Sequence, residues 1–415
     1  MRDAASSFSS VPLAQLIQKG RKITYGIVQP GEFVDDGVIL VRGRDYSSGW
    51  RDLSGFMRVT PEIDGPYRRS KLKSGDLVLT IVGANTGTVA VVPTWLEGAN
   101  ITQTTARIAV DPMKAVPGYV EQVLRSAIGQ EAVYRFQKGG AQPGLNLADV
   151  EKFEIPVPPI PEQHCIANVL RTWDEALEKL SALRAAKDQR LVALRAALLF
   201  GELRLNGQRR NWAPTRLGAV THELTKRNGA KGLGRDFVMG VTKAEGVVPM
   251  REQTIAGDIS RYKRLPPRAF AYNPMRINVG SIAMNEREDE VLVSPDYVVF
   301  ACNADGLDAD YLDHLRKTSW WAHYINSGGS GSVRQRTYYD DLAALKLPLP
   351  QLDEQKAIAA VLNTARADLA ATEREIEAVT LQKRGLMQKL LTGEWRVPLD
   401  PSEPSAATEE TEHAG

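Results

Sequence analysis

The chain has 415 residues, 43% of them hydrophobic and 25% charged, which excludes a wholly disordered chain, a collagen and a small disulfide scaffold and allows roughly two to four domains. No apolar run approaches the ~20 residues that span a bilayer, the opening MRDAASSFSS lacks the apolar stretch of a signal peptide, and Cys165 and Cys302 stand apart without metal-ligand spacing, so a cytoplasmic protein with no membrane contact, disulfide or metal is expected. The net charge of +2 is unevenly spread: residues 226–276 carry eleven Lys or Arg against four Asp or Glu, and residues 400–415 carry five acids and no Lys or Arg, a pattern that fits a localised polyanion contact better than a wholly basic protein.

In chain order, residues 1–155 read as mixed α/β. The run Leu77–Val82 follows a Ser74-Gly75-Asp76 turn and is broken by Gly83, Asn85 and Gly87 before a second run, Val89–Val92. Residues 119–137 are expected to be helical. Residues 156–207 open on a Pro-rich extended stretch that cannot be helix interior, followed by a long helix from Glu162 to Leu199 that Gly201 ends. Residues 208–346 form a second mixed α/β block, with strands at Val291–Val293 and Tyr297–Phe300, a helix over 309–325 and a Gly-rich loop at 328–332. Residues 347–397 repeat the Pro-rich lead and the long helix, ended by Gly393. The acidic tail, 398–415, is expected to be disordered.

The two helical segments are copies. IPVPPIPEQHCIANVL at 155–170 resembles LPLPQLDEQKAIAAVL at 347–362 at a constant offset of 192, and seventeen of the 51 ungapped positions from 155 to 205 are identical. The period is too long for a solenoid and reads as a duplication of one unit. Each helix carries a narrow apolar stripe at heptad spacing, which argues for helix–helix packing. The stripe comprises Ile166, Leu170, Trp173, Leu177, Leu180, Leu191, Leu194 and Leu198 in the first copy, and Ile358, Leu362, Leu369, Ile376, Val379, Leu386 and Leu390 in the second. Arg184 interrupts the first seam and Lys383 the second, at complementary places. The expected fold class is α+β: two mixed α/β blocks separated by a two-helix antiparallel coiled coil, pseudo-twofold symmetric. Further Ala and Leu on the outward faces, such as Leu183 and Ala193, leave room for partner helices.

A Pro-rich strand, then Pro-Glu-Gln or Asp-Glu-Gln, then a long helix ending Leu-Leu-x-Gly-Glu-x-Arg, all twice, resembles the specificity subunit of type I restriction-modification systems. LKSGDLVLTIVGANTGTVAVV (72–92) and VLVSPDYVVFACNADGLDADYLDHL (291–315) resemble segments of that family's target recognition domains. The resemblance implies a DNA-binding subunit without catalysis of its own. Each block would read one half of a bipartite, asymmetric site in double-stranded DNA. The helices would set the spacing and dock two methyltransferase subunits, and motor-nuclease subunits would join that core. S-adenosylmethionine, ATP and Mg would belong to those partners.

Base reading requires donors and acceptors at groove edges, mostly Arg, Lys, Asn and Gln. The candidates are Arg42, Arg44, Arg68, Arg69, Lys71 and Lys138 in the first block, and Arg261, Lys263, Arg264, Arg276, Arg334, Gln335 and Arg336 in the second. Two other readings stand beside this one. One is a stand-alone DNA-binding regulator built on a coiled coil. The other is a divergent nuclease using Glu354 and Lys356, although the first copy lacks the Lys. No methyltransferase or P-loop motif and no histidine dyad is found, so no catalytic or metal-ligating residue is assigned.

Overall fold

The computed structural model describes residues 8–139, 143–205, 212–230, 232–327 and 336–398. Two helices of 40 residues each, Ile160–Leu199 and Leu352–Leu391, are each about 60 Å long at 1.5 Å per residue. Their starts and their ends are both 192 positions apart, the offset of the sequence repeat. The first begins two residues earlier than the Glu162 start expected from sequence; Pro161 is tolerated in its first turn, where the N–H it lacks would be unpaired. Both helices stop alike. Gly201 and Gly393 adopt φ of +75° and +77°, and the N–H groups of Leu203 and Trp395 reach back to the carbonyls of Ala197 and Lys389 at 2.9 and 3.0 Å. That wrap satisfies carbonyls left open at a helix end. Among the described residues no helix is long and apolar enough to cross a membrane.

The chain divides into two compact units. One runs up to Lys179 and resumes from Glu375; the other is Leu180–Arg374. Each unit therefore contains one β-rich block and one half of each long helix.

In the first unit, a four-stranded antiparallel sheet has the order Thr24–Tyr25, Thr105–Ile108, Leu77–Thr80, Val89–Val91. Alternation along the strands sends Leu77, Leu79, Ala106 and Ile108 into a core shared with Tyr119, Val123, Ile166, Leu170, Leu390 and Leu391. Val78 and Ala90 face the other way, against Val41, Phe56, Leu96 and Ile101. Part of that second layer is a sheet of Met57–Val59, Val38–Val41 and Asn100–Ile101. The helix expected over 119–137 is two helices, Pro117–Arg125 and Ala127–Phe136. Ser126 separates them: its backbone is extended and its Oγ accepts from the Ile128 N–H at 3.2 Å, an N-cap.

The second unit repeats the central sheet. Thr221–Glu223, Val298–Cys302, Phe270–Tyr272 and Ile282–Met284 lie in the same antiparallel order. Phe270 and Phe300 stack with ring centroids 5.2 Å apart, in a core with Tyr311, Leu315, Leu191, Leu198, Ile358 and Leu362. The opposite face meets a differently built layer, Met239–Thr242 with Gly246–Pro249 and Lys263–Leu265 with Val291–Val293. The helix expected over 309–325 is again broken, into Ala309–Leu315 and Ser319–Ser327.

The Pro-rich leads are edge strands, where a missing N–H is tolerated. Glu154–Pro156 pairs with Ser10–Pro12, and Lys346–Leu349 with Ala213–Arg216. Within each unit the two helix halves run antiparallel. Arg184 contacts Glu373 at 2.9 Å and Lys187 contacts Asp368 at 2.7 Å in the second unit; Lys383 contacts Asp174 in the first. All fifteen residues expected in the seams are buried or half-buried. The fold is α+β, two β-rich blocks linked by two long helices that pack on each other within each unit.

Candidate nucleic-acid interface

Basic side chains from two separated stretches, residues 19–22 and 68–73, meet on the first block. The run Lys19-Gly20-Arg21-Lys22 precedes the first strand of the central sheet, the turn Gly65–Ser70 carries Arg68 and Arg69, and Lys71-Leu72-Lys73 leads into the third. All of these cations except Lys19 line an open hollow of about 920 Å³, to which Arg107 contributes from the middle of the sheet and Glu97 the one carboxylate among the described residues. Two of the cations are neutralised. Arg21 holds both oxygens of Asp76 at 2.7 Å, and Lys71 lies 2.7 Å from Asp64 and donates to the Gly98 carbonyl at 2.9 Å. Lys22, Arg68, Arg69 and Lys73 are exposed, and their side chains have no hydrogen bond or ion pair to another described residue. Like charges so close raise the local positive potential.

Arg107 is 2% exposed. Its Nη2 donates to the carbonyls of Lys22 and Arg69 at 3.0 and 3.1 Å, while Nε and Nη1 have no partner among the described residues. Burial pushes its pKa below the usual guanidinium value, and the positive charge of Arg21 pushes in the same direction. Both oxygens of the nearby Asp76 are occupied by Arg21.

Arg42 and Arg44 belong to a different concavity, of about 360 Å³, lined also by Val28, Val82, Asn85, Thr102 and Gln103. Arg42 is turned inward onto Asp45, with Nε 3.0 Å from Oδ2. Arg44 remains largely exposed, 3.9 Å from the same carboxylate. Asn85 and Gln103 are exposed with no side-chain hydrogen bond to a described residue. Gly83 and Gly87, at φ of +109° and +93°, permit the tight loop that carries Asn85. Beneath it the Tyr46 hydroxyl and Thr80 Oγ1 lie 2.8 Å apart, and burial pushes the Tyr46 pKa up to about 12. Arg, Asn and Gln beside exposed Val are the donors, acceptors and methyl contacts that base edges take. Lys138 stands apart from both concavities. It shares Asp149 with Lys152, and hydrogen bonds from the two lysines, Lys152 first, hold that carboxyl below its usual value.

In the second block Lys263 and Arg264 are largely engaged. Lys263 donates to the Tyr297 carbonyl at 2.7 Å, and burial lowers its pKa. Arg264 meets Glu290 at 2.7 Å. Arg261 and Arg276 are exposed, with no side-chain partner among the described residues. Arg336 lies 3.4 Å from the Tyr338 hydroxyl, in a hollow shared with Glu223, Asp296 and Asp340. Arg334 and Gln335 lie outside the described residues, as does the tail from 399.

Glu354, weighed as a nuclease ligand, is held by Arg204 at 2.7 and 3.0 Å and by Trp212 Nε1 at 3.3 Å. Among the described residues no three His, Cys, Asp or Glu side chains come together as a metal site. Sequence reasoning missed Arg21, Lys22, Lys73 and Arg107, and with them Asn85 and Gln103. The run Lys19-Gly20-Arg21-Lys22 was a visible signal, and so was a lone Arg inside the strand-like stretch Thr104–Val110. A charge at a buried strand position is more informative than an exposed one.

The family described as type I restriction modification DNA specificity domain matches residues 120–185. The type I restriction enzyme EcoBI specificity subunit of Escherichia coli is 34% identical over 175 residues, 41% of this chain and 36% of that one. The type I restriction enzyme MjaVIII specificity subunit of Methanocaldococcus jannaschii is 23% identical over 287 residues, 63% of this chain and 66% of that one. The matches thus span about a third and just under two thirds of these relatives' lengths. Among solved structures, the type I restriction-modification S subunit from M. genitalium superposes with a TM-score of 0.60 at 14% identity, covering 94% of this chain and 98% of that one. A chain from a structure of type I restriction-modification complex assembly and conformational transition gives 0.55 at 17% identity, with the same coverage of both chains. At these identities the superpositions speak to the fold.

Proposed function

We propose a function for this chain from one premise: it belongs to the family of DNA specificity subunits of type I restriction-modification systems. It binds double-stranded DNA, and each block reads one half of a bipartite, asymmetric site. The observation that carries this reading is the pairing of one duplicated scaffold with two unlike surfaces. The central sheets have the same strand order, whereas the layers and side chains outside them differ. A chain so built can read two unrelated half-sites, where a true homodimer would impose a palindrome.

The two long helices set the gap between half-sites and dock two methyltransferase subunits, to which motor-nuclease subunits add. Exposed apolar side chains on these helices, Leu183 and Val192 on the first and Val361 and Leu381 on the second, support the docking role. Methyl transfer from S-adenosylmethionine and ATP/Mg-driven motion then take place on the partners, and this chain supplies recognition without catalysis. The experiment is co-expression of the full chain with a type I methyltransferase subunit, followed by sequencing of modified bases. The expected result is one two-part site with unlike halves and a fixed gap. Methylation at a continuous or palindromic site would overturn the reading.

A further inference from the structure

Arg107 heads the largest fully buried side chains among the described residues. It occupies the central strand Thr105–Ile108, opposite Val78 on one neighbour and Thr24 on the other. A guanidinium is rarely buried without a carboxylate. Asp76, whose charge acts on Arg107, already carries Arg21 on both oxygens. Arg107 is fixed by two backbone carbonyls, those of Lys22 and Arg69, at 3.0 and 3.1 Å. These are the same two residues whose own side chains stand free at the rim. The bond network thus ties the buried cation to the backbone that presents the exposed ones. Nε and Nη1 of Arg107 lack partners among the described residues, and it lines the hollow that Lys22, Arg68, Arg69 and Lys73 surround.

We infer that this hollow is an anchoring site for the phosphate backbone of DNA. The inference rests on the DNA-binding reading above and adds which surface grips the backbone, as opposed to the bases. Four exposed cations without carboxylate partners offer charge that an anion can use without first breaking an ion pair. Lys71 and Arg21, already paired, shape the wall. The buried positive charge behind the rim adds a field that bulk water screens poorly. The set lacks the exposed amides that discriminate base edges; those, Asn85 and Gln103, lie at the other concavity. In this proposal the hollow fixes the position of the duplex, and loss of its rim cations weakens binding on every sequence alike.

The test uses the full chain and a random-sequence duplex, with affinity read by fluorescence anisotropy across 50–200 mM KCl, and sequencing of modified bases on co-expression with the methyltransferase subunit. Lys22→Ala, Arg68→Ala and Arg69→Ala alter exposed side chains and leave the fold intact by circular dichroism. Each lost phosphate contact makes the plot of log K against log[salt] shallower by about 0.9, with weaker binding on every sequence and an unchanged modified site. Arg107→Met is expected to do the same, and the rim variants decide the matter if it fails to fold. Rim variants with unchanged affinity and slope would overturn the inference alone, as would a changed modified sequence. A wild-type chain that binds no duplex in either setting would overturn the DNA-binding reading, and this inference with it.

Discussion

Arg396 holds Glu162 through two contacts of 2.7 Å, and this pair is the 192-residue image of another, Arg204 with Glu354 at 2.7 and 3.0 Å. In each unit the Arg follows the end of one long helix and the Glu opens the other. An aromatic ring covers each guanidinium: Phe8 at 5.0 Å from Arg396, Trp212 at 4.9 Å from Arg204. The last residues of the repeat, Gly-Glu-x-Arg, thus clamp the first, Glu-Gln, of the opposite copy. Arg204 and Glu354 are both largely shielded from solvent, so neither can lose its partner cheaply. We predict that Arg204→Ala and Glu354→Gln each destabilise the second unit by about 1.5–3 kcal/mol, with the double mutant less destabilised than the two single effects summed, as read by denaturation. Strict additivity would contradict the clamp.

The neighbouring glutamines explain the remainder of that motif. Gln163 Oε1 accepts from the Val116 N–H at 2.8 Å and its Nε2 donates to the Pro158 carbonyl at 2.8 Å. Gln355 repeats this with Asp308 and Pro350, at 2.9 and 2.9 Å. Only a side-chain amide both accepts and donates here. Gln163→Glu places a carboxylate against a carbonyl in a fully buried position and is predicted to cost about 3 kcal/mol at neutral pH. The loss shrinks in acid, where the protonated carboxyl can donate; urea titrations at two pH values measure this.

The two breaks in the apolar seam differ in environment. Arg184 and Glu373 are both nearly half-exposed, and exposed ion pairs contribute roughly 0–1 kcal/mol. Lys383 is buried against Asp174, which also accepts from Gln122 at 2.9 Å. Arg184→Leu should therefore be neutral or stabilising in thermal melts. Lys383→Leu leaves the half-buried Asp174 with Arg125 alone, at 3.4 Å, as its cation among the described residues and should lower stability by about 1–3 kcal/mol. The reverse order of the two effects would refute this assignment.

His314 joins the second block to both long helices. Nδ1 accepts from Arg195 Nε at 3.3 Å, so Nε2 carries the proton and donates to Asn363 at 3.0 Å. Burial lowers its pKa to about 4. The unfolded chain, near 6.5, takes up the proton first as pH falls. Stability from this neutral imidazole is fully present above about pH 6.5 and is lost toward about pH 4, on the order of 2–3 kcal/mol. His314→Gln preserves one acceptor and one donor but not the titration. Its stability should fall less steeply than wild type across that interval, as read by denaturant midpoints. Parallel curves would show that His314 does not titrate there.

The helical half of this molecule was legible in its letters because its constraints are local or repeat at one offset. Gly201 and Gly393 announce a left-handed helix end, and the heptad leucines announce a partner. The Arg204–Glu354 clamp was not legible, because antiparallel packing joins residues 150 positions apart that no spacing rule connects. Arg107 was overlooked for a related reason. Its burial depends on Val78 and Thr24 pairing on either side of it, which a single strand does not reveal. Arg42 and Arg264 looked like free cations in sequence; the fold gives them Asp45 and Glu290. Breaks at Ser126 and between Leu315 and Ser319 were hidden inside continuous helical periodicity.

The most direct test of divided recognition is block exchange. Residues 208–346 are replaced by the corresponding block of a relative with a known modified site, and modified bases are sequenced after co-expression with the methyltransferase subunit. One half of the site should switch to the relative's half, while the other half and the gap stay as in the unexchanged chain. A site in which both halves change, or neither, would contradict the account.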